Sequence, residues 1–173
     1  MADLSPFPVT AAHRWFALQV RARSEKLSSD LLAEKEFETF LPTYLGRRRW
    51  SDRFKTVDLP LFPGYVFCRC DPRERLPILK TPSVIQFVGI GKVPLPVDDS
   101  ELAAVRTIIE SGIATKPWPF LKVGARVRIG EGPLTGLEGI LVSEKDRNRL
   151  IVSVTLLQRS VATQIDRCQI RPL

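Results

Sequence analysis

Three groups of residues in this chain have types and spacings that could do chemistry. Gly130, Gly132, Gly136 and Gly139 surround the stretch G-E-G-P-L-T-G, a composition that could cradle a phosphate. The stretch lacks the G-K-[ST] ending, and the residues after it alternate like a strand instead of opening a helix, so nucleotide binding is rejected. The spacing suits a strand, a turn that needs glycine conformations, and a returning strand. Cys68 and Cys70 stand two apart, but a zinc site needs a second ligand pair. Cys168 is remote and the single histidine, His13, lies near the terminus, so the cysteines read as buried reduced thiols on one strand face, without a disulfide framework or metal. The third group is Arg47, Arg48, Arg49, Arg53 and Lys55, with Trp50 and Phe54 interleaved. Rings on which bases stack, set among cations that track phosphates, are the pattern of single-stranded nucleic-acid binding. The same residues also suit a solvated hairpin tip whose charge prevents edge pairing. Arg21, Arg23 and Lys26 could add to the same positive surface or be ordinary exposed charges. No G-x-S-x-G elbow and no H-E-x-x-H occur, so the chain reads as a binding protein, with no catalytic residue and no cofactor.

The elements that must position these residues fall into two textures. W-F-A-L-Q-V (15–20) suits a strand, followed by a helix that Ser24 can cap and that carries Leu27, Leu31 and Leu32. F-E-T-F-L-P (37–42) reads as a second strand and G-Y-V-F-C-R (64–69) as a third, with Tyr65, Phe67 and Arg69 on one face and Val66 and Cys68 on the other. Pro60 and Pro63 precede that third strand in L-P-L-F-P-G-Y-V-F; proline cannot donate to a ladder, so both belong to the approach and pairing begins near Tyr65. D-P-R-E (71–74) predicts a helix with an Asp71/Glu74 capping box, kept short by Pro77, and S-V-I-Q-F-V-G (83–89) a fourth strand. Over 98–112 the spacing predicts a helix opened by an Asp98/Glu101 box, stapled by Val97 on Leu102, striped by Leu102, Val105, Ile108 and Ile109, and ended by Gly112. The first domain is thus α+β. I-A-T-K-P-W-P-F-L (113–121) suits a linker of restricted flexibility. After it, A-R-V-R-I, G-I-L-V-S, R-L-I-V-S-V and S-V-A-T-Q-I are short alternating runs split by turn signals, as in a small β-barrel.

With 173 residues, 44% apolar and 26% charged, the chain has the balance of a globular protein with room for two modest cores. No apolar run reaches membrane-span length and the opening residues lack a signal-peptide pattern, so a cytoplasmic, membrane-free protein is expected. The net charge is +7, with 16 basic against 14 acidic residues up to Ile113 and 10 against 5 from Ala114 onward. Such a surplus attracts polyanions but does not by itself identify a nucleic-acid binder.

W-F-A-L-Q-V, L-P-L-F-P-G-Y-V-F, F-V-G before P-L-P-V and a helix, and finally V-x-V-x-x-G-P-L-x-G-x-x-G-x-L occur in this order. Over residues 14 to 173 the chain resembles the NusG family of transcription elongation factors. F-P-G-Y-V marks that family's N-terminal (NGN) domain, and the Val127 to Leu141 pattern its KOW motif. R-R-R-W-S-D-R, P-L-F-P-G-Y-V-F and V-S-V-x-L-L-Q-R-S-V resemble the UpxY-type paralogues, antiterminators of long operons.

The resemblance implies an NGN-like domain over 1–112, ordered from about 14, with a four-stranded antiparallel sheet and flanking helices; a linker at 113–121; and a five-stranded SH3-like KOW barrel over 122–173. It implies a monomer that grips the clamp helices of RNA polymerase through an apolar pocket and suppresses pausing or termination. By position that pocket comprises Tyr65, Phe67, Phe62, Phe87, Leu102, Val105 and Trp15. The family's contacts to the non-template DNA strand map to Arg21, Arg23 and the basic hairpin. The family's second partner, a small-subunit ribosomal protein or Rho, maps to Leu156, Leu157 and Arg159 in the loop L-L-Q-R. Glu36 stands where relatives often place a helix-ending glycine, so the first helix is expected to end without the left-handed cap. Two other functions remain open at this level: a housekeeping factor coupled to Rho and the ribosome, and a ribosome-associated RNA-binding protein drawn to rRNA by the charge of its last third.

Overall fold

The structure is a computed structural model that describes residues 13–121, 123–144 and 146–173. In chain order its elements are β1 (Arg14–Val20), α1 (Glu25–Glu34), β2 (Glu38–Phe40), β3 (Thr43–Trp50), β4 (Arg53–Pro60), β5 (Tyr65–Cys70), α2 (Leu76–Leu79), β6 (Val84–Phe87), β7 (Gly89–Ile90) and β8 (Val93–Pro94). They continue with α3 (Asp99–Glu110), β9 (Thr115–Trp118), β10 (Ala125–Ile129), β11 (Glu138–Glu144), β12 (Arg147–Val154), β13 (Arg159–Ile165) and β14 (Ile170–Pro172). The chain packs as two compact units. One joins the residues up to Leu41 with Pro63–Val97, the other Pro42–Phe62 with Asp98–Leu173. Among the described residues no helix is long and apolar enough to cross a membrane.

The first unit is a four-stranded antiparallel sheet in the order β2-β5-β1-β6. Its ladder between β1 and β5 begins at the pair Gln19 and Tyr65, so Pro60 and Pro63 stay outside it as expected. Gly64 makes the entry possible. It takes φ +85°, donates its N–H to Oε1 of Glu25 at 2.9 Å and accepts from the N–H of Val20 at 2.8 Å. One face of the sheet carries the core: Phe16, Leu18, Val20, Val66, Cys68, Cys70 and Phe87 pack with Leu32 of α1 and Ile78 of α2.

Several local elements differ from their expected form. Ser24 occupies the N-cap of α1 but its side chain makes no capping bond; the Ser24 carbonyl accepts from Ser28 instead. Leu27, expected in the core stripe of α1, is 52% exposed. The D-P-R-E helix is only a 3-10 turn (Pro72–Glu74) before the single turn of α2. The Asp71 carboxylate accepts from the N–H of Arg73 and from its guanidinium, which holds the carboxyl at about 2, and it makes no box with Glu74.

Glu36 reverses the expectation of a missing cap, because it adopts the left-handed conformation itself, at φ +67°. Its N–H donates to Ala33 and that of Phe37 to Leu32, the two bonds of a Schellman ending, and Phe37 packs on the core. A side chain in this conformation costs roughly 1–2 kcal/mol, part of which glycine would return through unfolded-state entropy. Glu36→Gly is therefore expected to stabilise the chain by about 0.5–1 kcal/mol, read as a higher urea midpoint at unchanged slope.

The second unit contains the β3–β4 hairpin, α3 and a six-stranded antiparallel sheet in the order β14-β10-β11-β12-β13-β9. Five of these strands are those expected of the barrel. The sixth, β9, falls inside the stretch read as a linker: Thr115 to Trp118 pair with Thr163 to Ser160. Pro117 is tolerated because β9 is the outermost strand. The glycine turn forms as expected, with Gly132 at φ +88° and Gly136 at φ +87° between β10 and β11. Gly139 has no room for a side chain, since a Cβ there would lie 2.5 Å from the carbonyl oxygen of Ile151.

In α3 the stripe Leu102, Val105 and Ile108 is buried, and Gly112 at φ +70° ends the helix as predicted. Asp98 caps by accepting from Ser100 N–H at 2.8 Å, whereas Glu101 leaves the expected box. Its carboxylate accepts from the Thr155 N–H at 3.1 Å and the Thr155 hydroxyl at 2.6 Å, contacts 54 residues away in sequence that no local pattern announces.

Candidate functional site

Strand alternation places Trp15, Ala17 and Gln19 of β1 opposite Arg69, Phe67 and Tyr65 of β5, all on the sheet face away from α1 and α2. Glu38 and Phe40 of β2 lie opposite Arg69 and Phe67 and join the same face. The result is an aromatic run: Trp15 meets Phe40 edge-on at 6.4 Å between centroids, and Phe40 meets Phe67 at 6.1 Å. Polar pairs border it, with Arg69 Nη1 3.5 Å from Glu38 Oε2 and Gln86 donating to Gln19 at 2.9 Å. Phe67 is 0% exposed, while Trp15, Phe40 and Tyr65 are half-buried.

The structure thus brings together three of the seven residues assigned to the apolar pocket: Trp15, Tyr65 and Phe67. Phe87 lies on the opposite face. It pairs with Leu18, sits edge-on to Phe16 at 5.8 Å and is 9% exposed within the core. Leu102 and Val105 form the buried stripe of α3, and Phe62 is buried after β4; these three belong to the second unit. Phe40 was missed. Its strand was legible, but the register that sets it opposite Phe67 depends on pairing with residues 27 positions away.

The basic stretch is a hairpin closed by the pair Trp50 and Arg53 around a two-residue turn, Ser51–Asp52. Ser51 has φ +52° and Asp52 does not share it, as in a type II′ turn. All residues from Arg47 to Thr56 are exposed. Pairing sorts them by face: Arg48, Trp50, Arg53 and Lys55 on one side, Arg47, Arg49, Phe54 and Thr56 on the other. Lys55 Nζ lies 5.4 Å from the Trp50 centroid, and the Arg47 guanidinium carbon 5.4 Å from that of Phe54. Arg21 and Arg23 are exposed in the turn between β1 and α1, in the first unit, and Lys26 pairs with Asp30 at 3.3 Å.

In the second unit, Leu157 is 6% exposed inside a 3-10 turn, so of the three residues assigned to a barrel partner only half-buried Leu156 and exposed Arg159 are accessible. The barrel's positive surplus is partly matched. Glu138 pairs with Arg128 and, at 3.6 Å, with Arg126, while Glu144 lies 3.5 Å from Arg149.

Cys68 and Cys70 share the buried face, whereas Cys168 is exposed. Hydrogen bonding to Cys70, together with burial, pushes the Cys68 thiol up and keeps it protonated. A thiol reagent at mildly alkaline pH should therefore titrate one cysteine rapidly in the native protein and all three after unfolding.

Residues 13–106 match the family model described as "Transcription termination factor nusG". The "Transcription termination/antitermination protein NusG" of Campylobacter jejuni is 27% identical, covering 94% of this chain and 99% of its own. The protein of that name from Thermus thermophilus is 28% identical over 90% of this chain and 96% of its own. That of Borreliella burgdorferi is 32% identical over 70% of this chain and 69% of its own. Among solved structures, one described as "Domain interaction in Thermotoga maritima NusG" superposes with a TM-score of 0.58 at 20% identity, covering 93% of this chain and 97% of that one. A match to the family model over residues 13–106, more than half of the chain, leads to one conclusion: the chain belongs to the NusG family.

Proposed function

We propose that this protein is an elongation factor of the antiterminating, UpxY-like kind, which docks on the clamp helices of RNA polymerase and suppresses pausing or termination on particular operons. The observation that carries this reading is the position of Tyr65. It heads β5 with a half-buried ring beside an aromatic run, an amphipathic side chain suited to a contact that is apolar at its body and polar at its tip. In this proposal residues up to 112 act as the polymerase-binding module, with half-buried Tyr65, Trp15 and Phe40 as its contact face and the buried Phe67 supporting them from beneath. The hairpin from Arg47 to Lys55 contacts the non-template DNA strand, and Arg21 and Arg23 of the first unit are separate candidates for contacts to DNA. The module over 122–173 offers Leu156 and Arg159 to a further partner, a small-subunit ribosomal protein or Rho. The ion pairs of Arg126, Arg128 and Arg149 weigh against a barrel that works chiefly by charge on rRNA.

Nascent-transcript mapping after deletion tests the function. Loss of the distal genes of one or a few operons is expected. A genome-wide change in pausing or termination would instead identify the housekeeping factor.

A further inference from the structure

We infer that Glu25 is a positioning residue for the polymerase contact: through Gly64 it holds the start of β5, and with it the ring of Tyr65. This rests on the proposal that Tyr65 meets RNA polymerase and adds how the ring is held for that contact. Three residues of α1 are buried, Glu25, Ser28 and Leu32, and their spacing lines one stripe of the helix. A carboxylate thus stands, at 6% exposure, where the helix pattern calls for an apolar side chain. Burying a charge is costly unless a hydrogen bond answers it, so packing alone does not account for the residue. An acid in the first turn does favour α1 through the helix dipole, but it would do so equally from a solvated position.

What the burial achieves is a bond to the entry of β5. Glu25 Oε1 accepts from the Gly64 N–H at 2.9 Å, 39 residues away in sequence, while the Gly64 carbonyl accepts from the Val20 N–H at 2.8 Å. The entering segment has little else to fix its direction. Pro63 has no N–H to donate, and Gly64, at φ +85°, has no side chain to restrict it. Packing does not clamp the glycine either: beyond its chain neighbours, a Cβ there would come no nearer to another atom than 3.9 Å, at the Val20 carbonyl oxygen. Two hydrogen bonds, one on each side of Gly64, hold it instead. Tyr65 follows directly and opens the ladder opposite Gln19, half-buried. A ring at the first position of a strand keeps its direction only as well as the glycine before it is held. Without the carboxylate only the Val20 bond remains, Tyr65 swings about Gly64, and ordering it becomes a cost of binding.

The test is a double-mutant cycle on the full chain, read as equilibrium affinity for core RNA polymerase by biolayer interferometry. Glu25→Ala is expected to weaken binding about tenfold, the loss of one hydrogen bond to a charged group. Glu25→Gln keeps an acceptor oxygen at the same reach and should stay within about threefold of the wild type. In a Tyr65→Ala background Glu25→Ala should add less than about twofold, because the ring it positions is gone. Glu25→Leu separates positioning from folding. It fills the apolar stripe without offering an acceptor, so it should melt close to the wild-type temperature and still bind about tenfold more weakly. A folded Glu25→Leu protein that binds like the wild type, a Glu25→Gln loss as large as that of Glu25→Ala, or a Glu25→Ala loss of equal size with and without the Tyr65 ring would overturn the inference while leaving Tyr65 in the contact. If Tyr65→Ala alone binds as tightly as the wild type, the polymerase reading of this face falls, and the inference falls with it.

Discussion

Tyr65→Ala should abolish co-purification with RNA polymerase while the protein remains folded. An aromatic anchor at the centre of an interface contributes about 2 kcal/mol or more on truncation, roughly thirtyfold in affinity. The effect separates from stability because Tyr65 is only half-buried and lies opposite Gln19, away from the cluster under α1 and α2. Phe67 provides the contrast. It shares the face but is fully buried against Phe40, so Phe67→Ala is expected to cost about 3–5 kcal/mol of folding stability and to lose binding for that reason as well. Unchanged binding by a folded Tyr65→Ala protein would remove this face from the polymerase contact.

The triple charge reversal Arg47→Glu/Arg48→Glu/Arg49→Glu is expected to have the other large effect, on DNA. It turns a tip of five cations and one anion into one of two cations and four anions. Single-strand binding releases about 0.7 counterion per neutralised phosphate, so losing three contacts should flatten the slope of log K against log salt by about 2. At low salt the loss should be about a hundredfold and should shrink as salt rises, because the term removed is electrostatic. Trp50→Ala should behave oppositely, lowering affinity with an unchanged slope. A salt slope unaffected by the triple reversal would mean that phosphates meet the chain elsewhere.

How much of this was legible follows from the range of the interactions involved. The start of β5 at Tyr65 was readable because proline and glycine chemistry is local: Pro60 and Pro63 exclude the ladder, and Gly64 supplies the turn. The stripe and glycine end of α3 were readable for the same reason. The aromatic face was half readable. Alternation put Tyr65 and Phe67 together, but whether Phe87 and Phe40 join them is fixed by register across strands, which placed Phe87 against Leu18 and Phe40 against Phe67. Glu36 shows a local rule overruled, since two backbone bonds and the docking of Phe37 hold a glutamate where glycine is usual. Glu101 and Thr115–Trp118 were misread because a distant threonine claims the carboxylate and β13 claims the segment as an edge strand. The hairpin itself was legible, yet the division of its two rings between faces needed the pairing of Trp50 with Arg53.

The central claim is that the face carrying Tyr65 meets RNA polymerase, and photo-crosslinking tests it most directly. With p-benzoylphenylalanine replacing Tyr65 in the otherwise intact chain, irradiation of the complex with core polymerase should give a covalent adduct whose crosslinked peptide lies in the clamp helices, whereas the same group replacing Arg159 should give none there. An adduct from position 159 in the clamp, with none from position 65, would contradict the account.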